Sequence, residues 1–305
     1  MSSPLEHYLT ELRDLSKPMA VSKLANLSDL SSEETDIFGR EWPDIDVTRR
    51  RQIVGQLAEL AEDNLELDFD DVFLSCLTDA DGEVRVKAIE GLWGCEERSL
   101  IDQLISLLLE DAEDAVRAAA ADALGRFTML AELGKLRESD AERVEGALLT
   151  AFNKGNEQLN VRRRVLEAIS PLSKPQVEEM IRQAYRSDSL EFQISAVYAM
   201  GRNCNPSWLP VLFKELRNPN PQLRFEAVRA CAELEAEEAV PHIMELTRDG
   251  DAEVQISAIE ALGQIGGSEA REGLQRCLDS SEEPIRQAAQ EALEEIGFWE
   301  DPASL

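Results

Sequence analysis

Hydrophobic residues recur along the chain in one short pattern. An apolar residue followed by Arg or Gln is joined by apolar or small residues four, five and eight positions on. The pattern occurs as Val84-Arg85 with Ala88, Ile89 and Leu92, and as Val116-Arg117 with Ala120, Ala121 and Leu124. It returns as Val161-Arg162 with Val165, Leu166 and Ile169, as Phe192-Gln193 with Ala196, Val197 and Met200, and as Leu223-Arg224 with Ala227, Val228 and Cys231. Val254-Gln255 with Ala258, Ile259 and Leu262 follows, and Ile285-Arg286 with Ala289, Gln290 and Leu293 ends the series. Arg49-Arg50 with Ile53, Val54 and Leu57 is a degenerate first copy. The copies start at 49, 84, 116, 161, 192, 223, 254 and 285, and the last four steps are 31 residues each. Spacings of zero, four and eight draw one apolar stripe on a helix, so each copy is predicted to be a helix with a single buried face.

A shorter apolar-periodic stretch precedes each copy, for example Leu100 to Leu109, Val177 to Tyr185 and Val240 to Leu246. Polar turns such as Asp79-Ala80-Asp81-Gly82 and Asp249-Gly250-Asp251 separate the two. Asp44, Asp79, Asp111, Asn156, Ser187, Asn218, Asp249 and Ser280 all stand five residues before a motif start, where short polar side chains satisfy backbone groups of a turn. Gly94, Gly125, Gly201, Gly263 and Gly266 are expected to end or loosen the second helices. A helical hairpin of this length cannot bury its apolar face alone, and stacked copies can. The predicted fold class is therefore all-α: an α-α superhelix of about eight two-helix repeats.

The departures from the period define the organisation. Residues 1–39 are expected to form capping helices and the start of the first repeat. Ser31 and Glu34 make a capping box for a helix that should pair with the one containing Leu57. Residues 40–297 form the repeat array, and its one long step, of 45 residues, holds an extra segment near 127–140, read as an additional helix or a structured loop. Residues 298–305 form a tail that folds back over the last repeat, with Pro302 stopping any helix.

The run Asp249-Gly250-Asp251-Ala252-Glu253-Val254-Gln255, with Ala258, Ala261, Leu262 and Gly263, resembles bacterial HEAT-repeat proteins. In particular it resembles the short HEAT-like repeats of phycobilisome lyases. The resemblance covers about residues 40 to 297 and implies a HEAT/armadillo-like solenoid. It does not assign an activity, because such repeats serve as scaffolds, adaptors, lyase subunits and regulatory modules.

Composition narrows the functional classes. The chain carries 61 acidic and 31 basic residues, a formal net charge of −30. So negative a surface repels phosphate backbones, and nucleic acid is not an expected partner. The dense basic runs, Arg49-Arg50-Arg51 and Arg162-Arg163-Arg164, are too few for a nucleic-acid groove. The arginines that recur after the motif start are instead expected to pair with the turn carboxylates of the stack. No apolar stretch approaches a membrane span, and the N-terminus does not read as a signal peptide. Five scattered cysteines fit a reducing cytoplasm and fall mainly on core positions.

The sequence contains two histidines, His7 and His242, too far apart to share a metal. The His-Glu motifs of HEAT-repeat di-iron hydroxylases are missing. Asp79 to Glu83 places glycine fourth and not sixth, so it reads as a turn and not a calcium loop. No catalytic residue, metal or cofactor is expected.

What remains is binding. Position two of the second helix lies about 200° from position zero and should face away from the repeat core. In three consecutive copies it holds Ile194, Phe225 and Ile256, and position six adds Tyr198 and Arg229. These five form the expected protein-binding ridge on the concave face of the later repeats. Residues 232–305 hold 19 acidic and four basic residues, which favours a protein or peptide partner of basic character. The expectation is a non-catalytic interaction scaffold or adaptor. The alternatives are an enzyme-associated module like a phycobilin lyase subunit, or a structural subunit of a larger complex.

Overall fold

The computed structural model describes residues 4–64 and 66–300. The chain divides into two compact units, Met1–Ala168 and Ile169–Leu305. The first contains α1 (Pro4–Arg13), α2 (Ser32–Glu41), α3 (Val47–Asp63), α4 (Asp70–Cys76), α5 (Gly82–Gly91), α6 (Arg98–Glu110), α7 (Asp114–Glu132), α8 (Glu138–Asn153) and nearly all of α9 (Leu159–Ile169). The second contains α10 (Pro175–Tyr185), α11 (Leu190–Arg202), α12 (Leu209–Glu215), α13 (Pro221–Glu233), α14 (Val240–Leu246), α15 (Ala252–Ile265), α16 (Gly267–Cys277) and α17 (Glu283–Glu300). Short 3-10 segments punctuate the connections, the longest at Val21–Leu27, and no strand occurs among the described residues.

Each unit is a stack of two-helix repeats, the all-α HEAT/armadillo-like architecture. In the first, the second helices α3, α5 and α7 pack in succession; in the second, α11, α13, α15 and α17 do so. First helices form a parallel layer, α4 on α2 and α8 on α6, with α16 on α14 in the second unit. Positions zero, four and eight are buried as the pattern requires, from Val84, Ala88 and Leu92 to Val254, Ala258 and Leu262.

The recurrent turn residue does the work its chemistry predicts. The side chains of Asp79, Asp111, Ser187, Asn218, Asp249 and Ser280 each accept from the backbone N–H two residues on, at 2.8 to 3.2 Å. The next polar residue caps the second helix: Asp81 accepts from Val84 N, Ser189 from Phe192 N, Asn220 from Leu223 N and Asp251 from Val254 N. Those N–H groups have no partner within the helix, so each cap stabilises it by about 1 kcal/mol.

The residue after the motif start ties consecutive repeats together. It first reaches back six residues to its own turn: the side chains of Arg85, Arg117, Gln193, Arg224, Gln255 and Arg286 donate to the carbonyls of Asp79, Asp111, Ser187, Asn218, Asp249 and Ser280. An arginine has donors left for the next repeat. Arg50 pairs with Asp79, Arg85 with Asp111, Arg117 with Glu157 and Arg224 with Asp249, the last through two bonds of 2.8 and 2.6 Å. A glutamine brings no charge with which to form an ion pair. Correspondingly, the turns that follow Gln193 and Gln255 carry the uncharged Asn218 and Ser280. The expected ladder is present, and sequence identity at two distant positions is matched across it.

Several expectations need correction. Gly125, Gly201 and Gly263 lie inside α7, α11 and α15 and do not end them. A Cβ at these positions would stand 3.2 Å from Ala168 Cα, 2.7 Å from Ala230 Cα and 2.8 Å from Ala292 Cβ, so glycine there permits close packing of adjacent second helices. Gly266, at φ +72°, does terminate α15. The extra residues near 127–140 add no helix. They lengthen α7 to 19 residues, then turn through Gly134 (φ +67°) into a 16-residue α8. The capping box at Ser31 and Glu34 is formed, but α2 packs on α1 and α4, not principally on α3, because it belongs to the first-helix layer. Finally, α17 runs to Glu300, so the expected tail at 298–305 begins as helix. Its last residues, with Pro302 and the fold-back, lie outside the described residues.

Candidate interaction surface

The predicted ridge belongs to the second unit. Ile194 on α11, Phe225 on α13 and Ile256 on α15 share one register on three adjacent second helices, and all three are half-buried. Their neighbours at positions zero, four and five are buried outright, which is the rotation that 100° per residue demands. Tyr198 is also half-buried, and Arg229 is exposed with its guanidinium 5.6 Å from the centre of the Phe225 ring. The cation thus covers part of the phenyl face. The ridge is a row of half-accessible apolar side chains whose polar member lies over its largest one.

A feature of the first unit escaped the sequence reading. Across α5, α7 and α9 runs a groove of about 540 Å³. Its floor is the alanine-rich face of α7, including Ala118, Ala119 and Ala123, and Val86 and Ile89 stand on one side. Position two is here Val86 and then Ala118, and small side chains leave depth and not a ridge. The signal was the run Ala118-Ala119-Ala120-Ala121-Asp122-Ala123.

Trp93 and Asp122 also line this groove. Trp93 is 59% exposed. The Arg126 guanidinium donates to the carbonyl oxygens of Leu92, at 2.6 Å, and of Trp93. Asp122 occupies position six, and no hydrogen-bond donor among the described residues reaches its carboxylate. Desolvation pushes its pKa above the usual Asp value, while the field of Arg164 pulls the other way.

The Asp79–Glu83 turn, the histidines and the cysteines have structural surroundings. Asp79 accepts from the Trp42 indole N–H at 2.7 Å and pairs with Arg50, while Asp81 caps α5 and pairs with Arg51. The turn reading of this segment is therefore the observed one. His7 lies exposed on α1; His242, on α14, is half-buried and meets the Phe213 ring edge-on at 5.2 Å. Burial raises the thiols of Cys95 and Cys231 to about 11 and about 12 and that of Cys76 well above its ordinary value, which suppresses the thiolate at neutral pH. Cys204 alone is exposed. Among the described residues no group of three or more His, Cys, Asp or Glu side chains is placed to hold a metal ion, and no helix is long and apolar enough to cross a membrane.

The architecture defines a helical-repeat protein that presents second-helix faces. The sequence matches the HEAT-repeat family at residues 71–153 and 209–294, more than half of the chain, and the chain belongs to that family. Among solved structures it is similar to the complex of CpcE and CpcF of phycocyanin lyase from Nostoc sp. PCC7120. That likeness has 18% identity and a TM-score of 0.56, over 93% of this chain and 97% of that one. It is also similar to an engineered protein, at 21% identity and a TM-score of 0.44 over 96% of this chain and 88% of that one. Yeast importin-beta, Kap95p, is similar at 14% identity and a TM-score of 0.47, over 96% of this chain and 41% of that one. At these identities the likeness is one of fold. No curated protein sequence matches the chain.

Proposed function

We propose that this HEAT-repeat chain is a protein-interaction scaffold or adaptor without catalytic activity, binding its partner through the second-helix face of α11, α13 and α15. The observation that carries the reading is the accessible row Ile194, Phe225 and Ile256, repeated in register where the fold requires no apolar side chain. Half-accessible apolar groups held on rigid helices bind at low entropic cost, since their rotamers are already restricted. Tyr198 and Arg229 supply polar contacts along the same face. The 19 acidic and four basic residues of 232–305 favour a partner with a basic surface and speed its approach.

The test is affinity capture from a native lysate at low and moderate salt, comparing the wild type with a Phe225→Asp, Ile256→Asp double variant. A stoichiometric partner retained by the wild type and lost by the variant, at unchanged far-UV circular dichroism, is the expected result. Undiminished capture by the variant would remove the ridge from this role. Bilin transfer, or covalent attachment dependent on one cysteine, would instead mark an enzyme-associated module of the phycobilin-lyase kind.

A further inference from the structure

We infer that the last repeat, α16 with α17, opens as one unit from α14 and α15 about the Gly266-Gly267 joint, and that it is a movable cover over the end of the apolar ridge. Its role as a cover rests on the reading of the ridge as a binding surface, whereas the opening does not.

The neighbouring junctions of the second unit carry a charged tie, and this one has lost it. Arg224 of α13 holds the next turn through two bonds to Asp249. One junction earlier, Gln193 and Asn218 form no ion pair, and another carboxylate takes over. Glu215 is 1% exposed and stands eight residues before its motif start, where Ala184, Leu246 and Cys277 stand in other copies. It accepts hydrogen bonds from Tyr185 of the preceding repeat and from Asn218. At the last junction Gln255 donates to the Asp249 carbonyl of its own turn, and the next turn carries Ser280. Thr247 and Cys277 occupy the places of Tyr185 and Glu215, so the substitute tie is missing as well. The opposite end of the chain is secured differently. Arg13 of α1 pairs with Glu41 and with Asp44, the turn residue of the first copy, and so supplies the rung of a preceding repeat.

Packing at the last junction is correspondingly open. A cleft of about 740 Å³ runs between α14 and α16, lined by Met244, Arg248, Gly273, Arg276 and Cys277. Space there removes contacts that would resist separation. Gly266 and Gly267, at φ +72° and +84°, join α15 to α16 directly, and glycine lets this joint turn without a Cβ clash. What holds the repeat is apolar contact: Leu274, Ala289 and Ala292 are buried, Ala292 against Gly263. That contact is one-sided. Position five, buried as Val197, Val228 and Ile259, is the exposed Gln290 in α17, so it is the position that faces a following repeat. A repeat with one neighbour and no charged tie has the smallest interface term in the stack. When α17 leaves, Ile259 becomes accessible three residues on from Ile256 of the ridge.

The test is native-state hydrogen exchange of the full chain, read by mass spectrometry. Helices as short as α16 and α17 do not keep their hydrogen bonds in water once undocked. The core amides of both should therefore exchange together, at least about tenfold faster than those of α13 and α15. Gln255→Arg with Ser280→Asp installs the residue types that Arg224 and Asp249 supply one junction earlier. This pair should slow exchange in α16 and α17 about tenfold or more and leave α13 unchanged, and Gln255→Arg alone should do less. Exchange of α16 and α17 at the rate of α13 and α15, exchange of α17 without α16, or an unslowed double variant would each overturn the inference. Undiminished lysate capture by Phe225→Asp, Ile256→Asp would remove the covering role and leave the opening intact. Failure of the exchange predictions would leave the ridge standing.

Discussion

The same substitution at two glycines should move stability in opposite directions. Gly201 lies within α11, and a Cβ there would fall 2.7 Å from Ala230 Cα and 3.0 Å from Ala230 Cβ. Carbon atoms pack at about 3.5–4.0 Å, so α11 and α13 must part by roughly 1 Å to admit the methyl group. Overpacking of this kind costs about 1–3 kcal/mol, and a backbone obstacle cannot swing aside as a side chain can, which places the cost in the upper half of that range. Replacing glycine within a helix returns about 1 kcal/mol. Gly201→Ala should therefore lose about 1–2 kcal/mol net.

Gly55, within α3, has nothing within 4 Å of the same added atom. Gly55→Ala keeps only the propensity gain of about 1 kcal/mol. At about 2–4 °C per kcal/mol for a unit of this size, Gly201→Ala should lower the melting temperature by about 2–8 °C and Gly55→Ala raise it by about 2–4 °C. Thermal melts by circular dichroism measure both. Hydrogen exchange assigns each change to its unit, since repeat arrays need not unfold in one step. A Gly201→Ala protein that melts at or above the wild-type temperature would refute the claim that close helix approach, and not helix termination, explains this glycine.

Three further outcomes follow from the charges. Arg224→Gln should destabilise the second unit by about 2–3 kcal/mol in urea titrations, because Asp249 is left buried without its bidentate partner; adding Asp249→Asn should recover part of the loss. Asp249 and Glu157 are pushed up by burial, but the hydrogen bonds from Arg224 and Arg117 and from nearby donors outweigh this and hold both pKa values below the ordinary range. Their contribution is therefore full above the unfolded values of about 4 and is lost as pH falls through the depressed folded values; melting below about pH 4 should be less pH-sensitive in Arg224→Gln than in the wild type. Added sodium chloride near neutral pH should raise the melting temperature, because screening weakens the self-repulsion of a net charge of −30; a fall would mean that the ion-pair ladder outweighs that repulsion.

The repeat architecture was legible because its causes are local and periodic. An apolar residue at zero, four and eight makes a helix face whatever lies beyond it, and a short polar residue five positions upstream makes the turn. The Arg ladder was legible for the same reason, since its arginines recur in register and so do the acceptors Asp79, Asp111 and Asp249, while Glu157 stands one residue beyond the register position held by Asn156. The amphipathic pattern also placed Ile194, Phe225 and Ile256 on one face, and the structure adds that they are half-buried and that Arg229 lies over Phe225.

Other features depended on distances between helices that are far apart in the sequence. Glycine within a pattern reads equally as a terminator or as a contact, and only the 2.7 Å approach of Ala230 decides for Gly201. The extra residues of the long step were visible as a count, whereas their absorption into α7 and α8 depended on where each helix found a packing partner. The groove of the first unit lay furthest from sequence. Alanines on α7 are unremarkable residues in a helix; they become a cavity floor only because α5 and α9 flank them, and because α5 stops two residues short of Trp93 and leaves its indole outside. Periodicity determines which face a side chain occupies, while depth and exposure depend on the sizes of its neighbours across the stack.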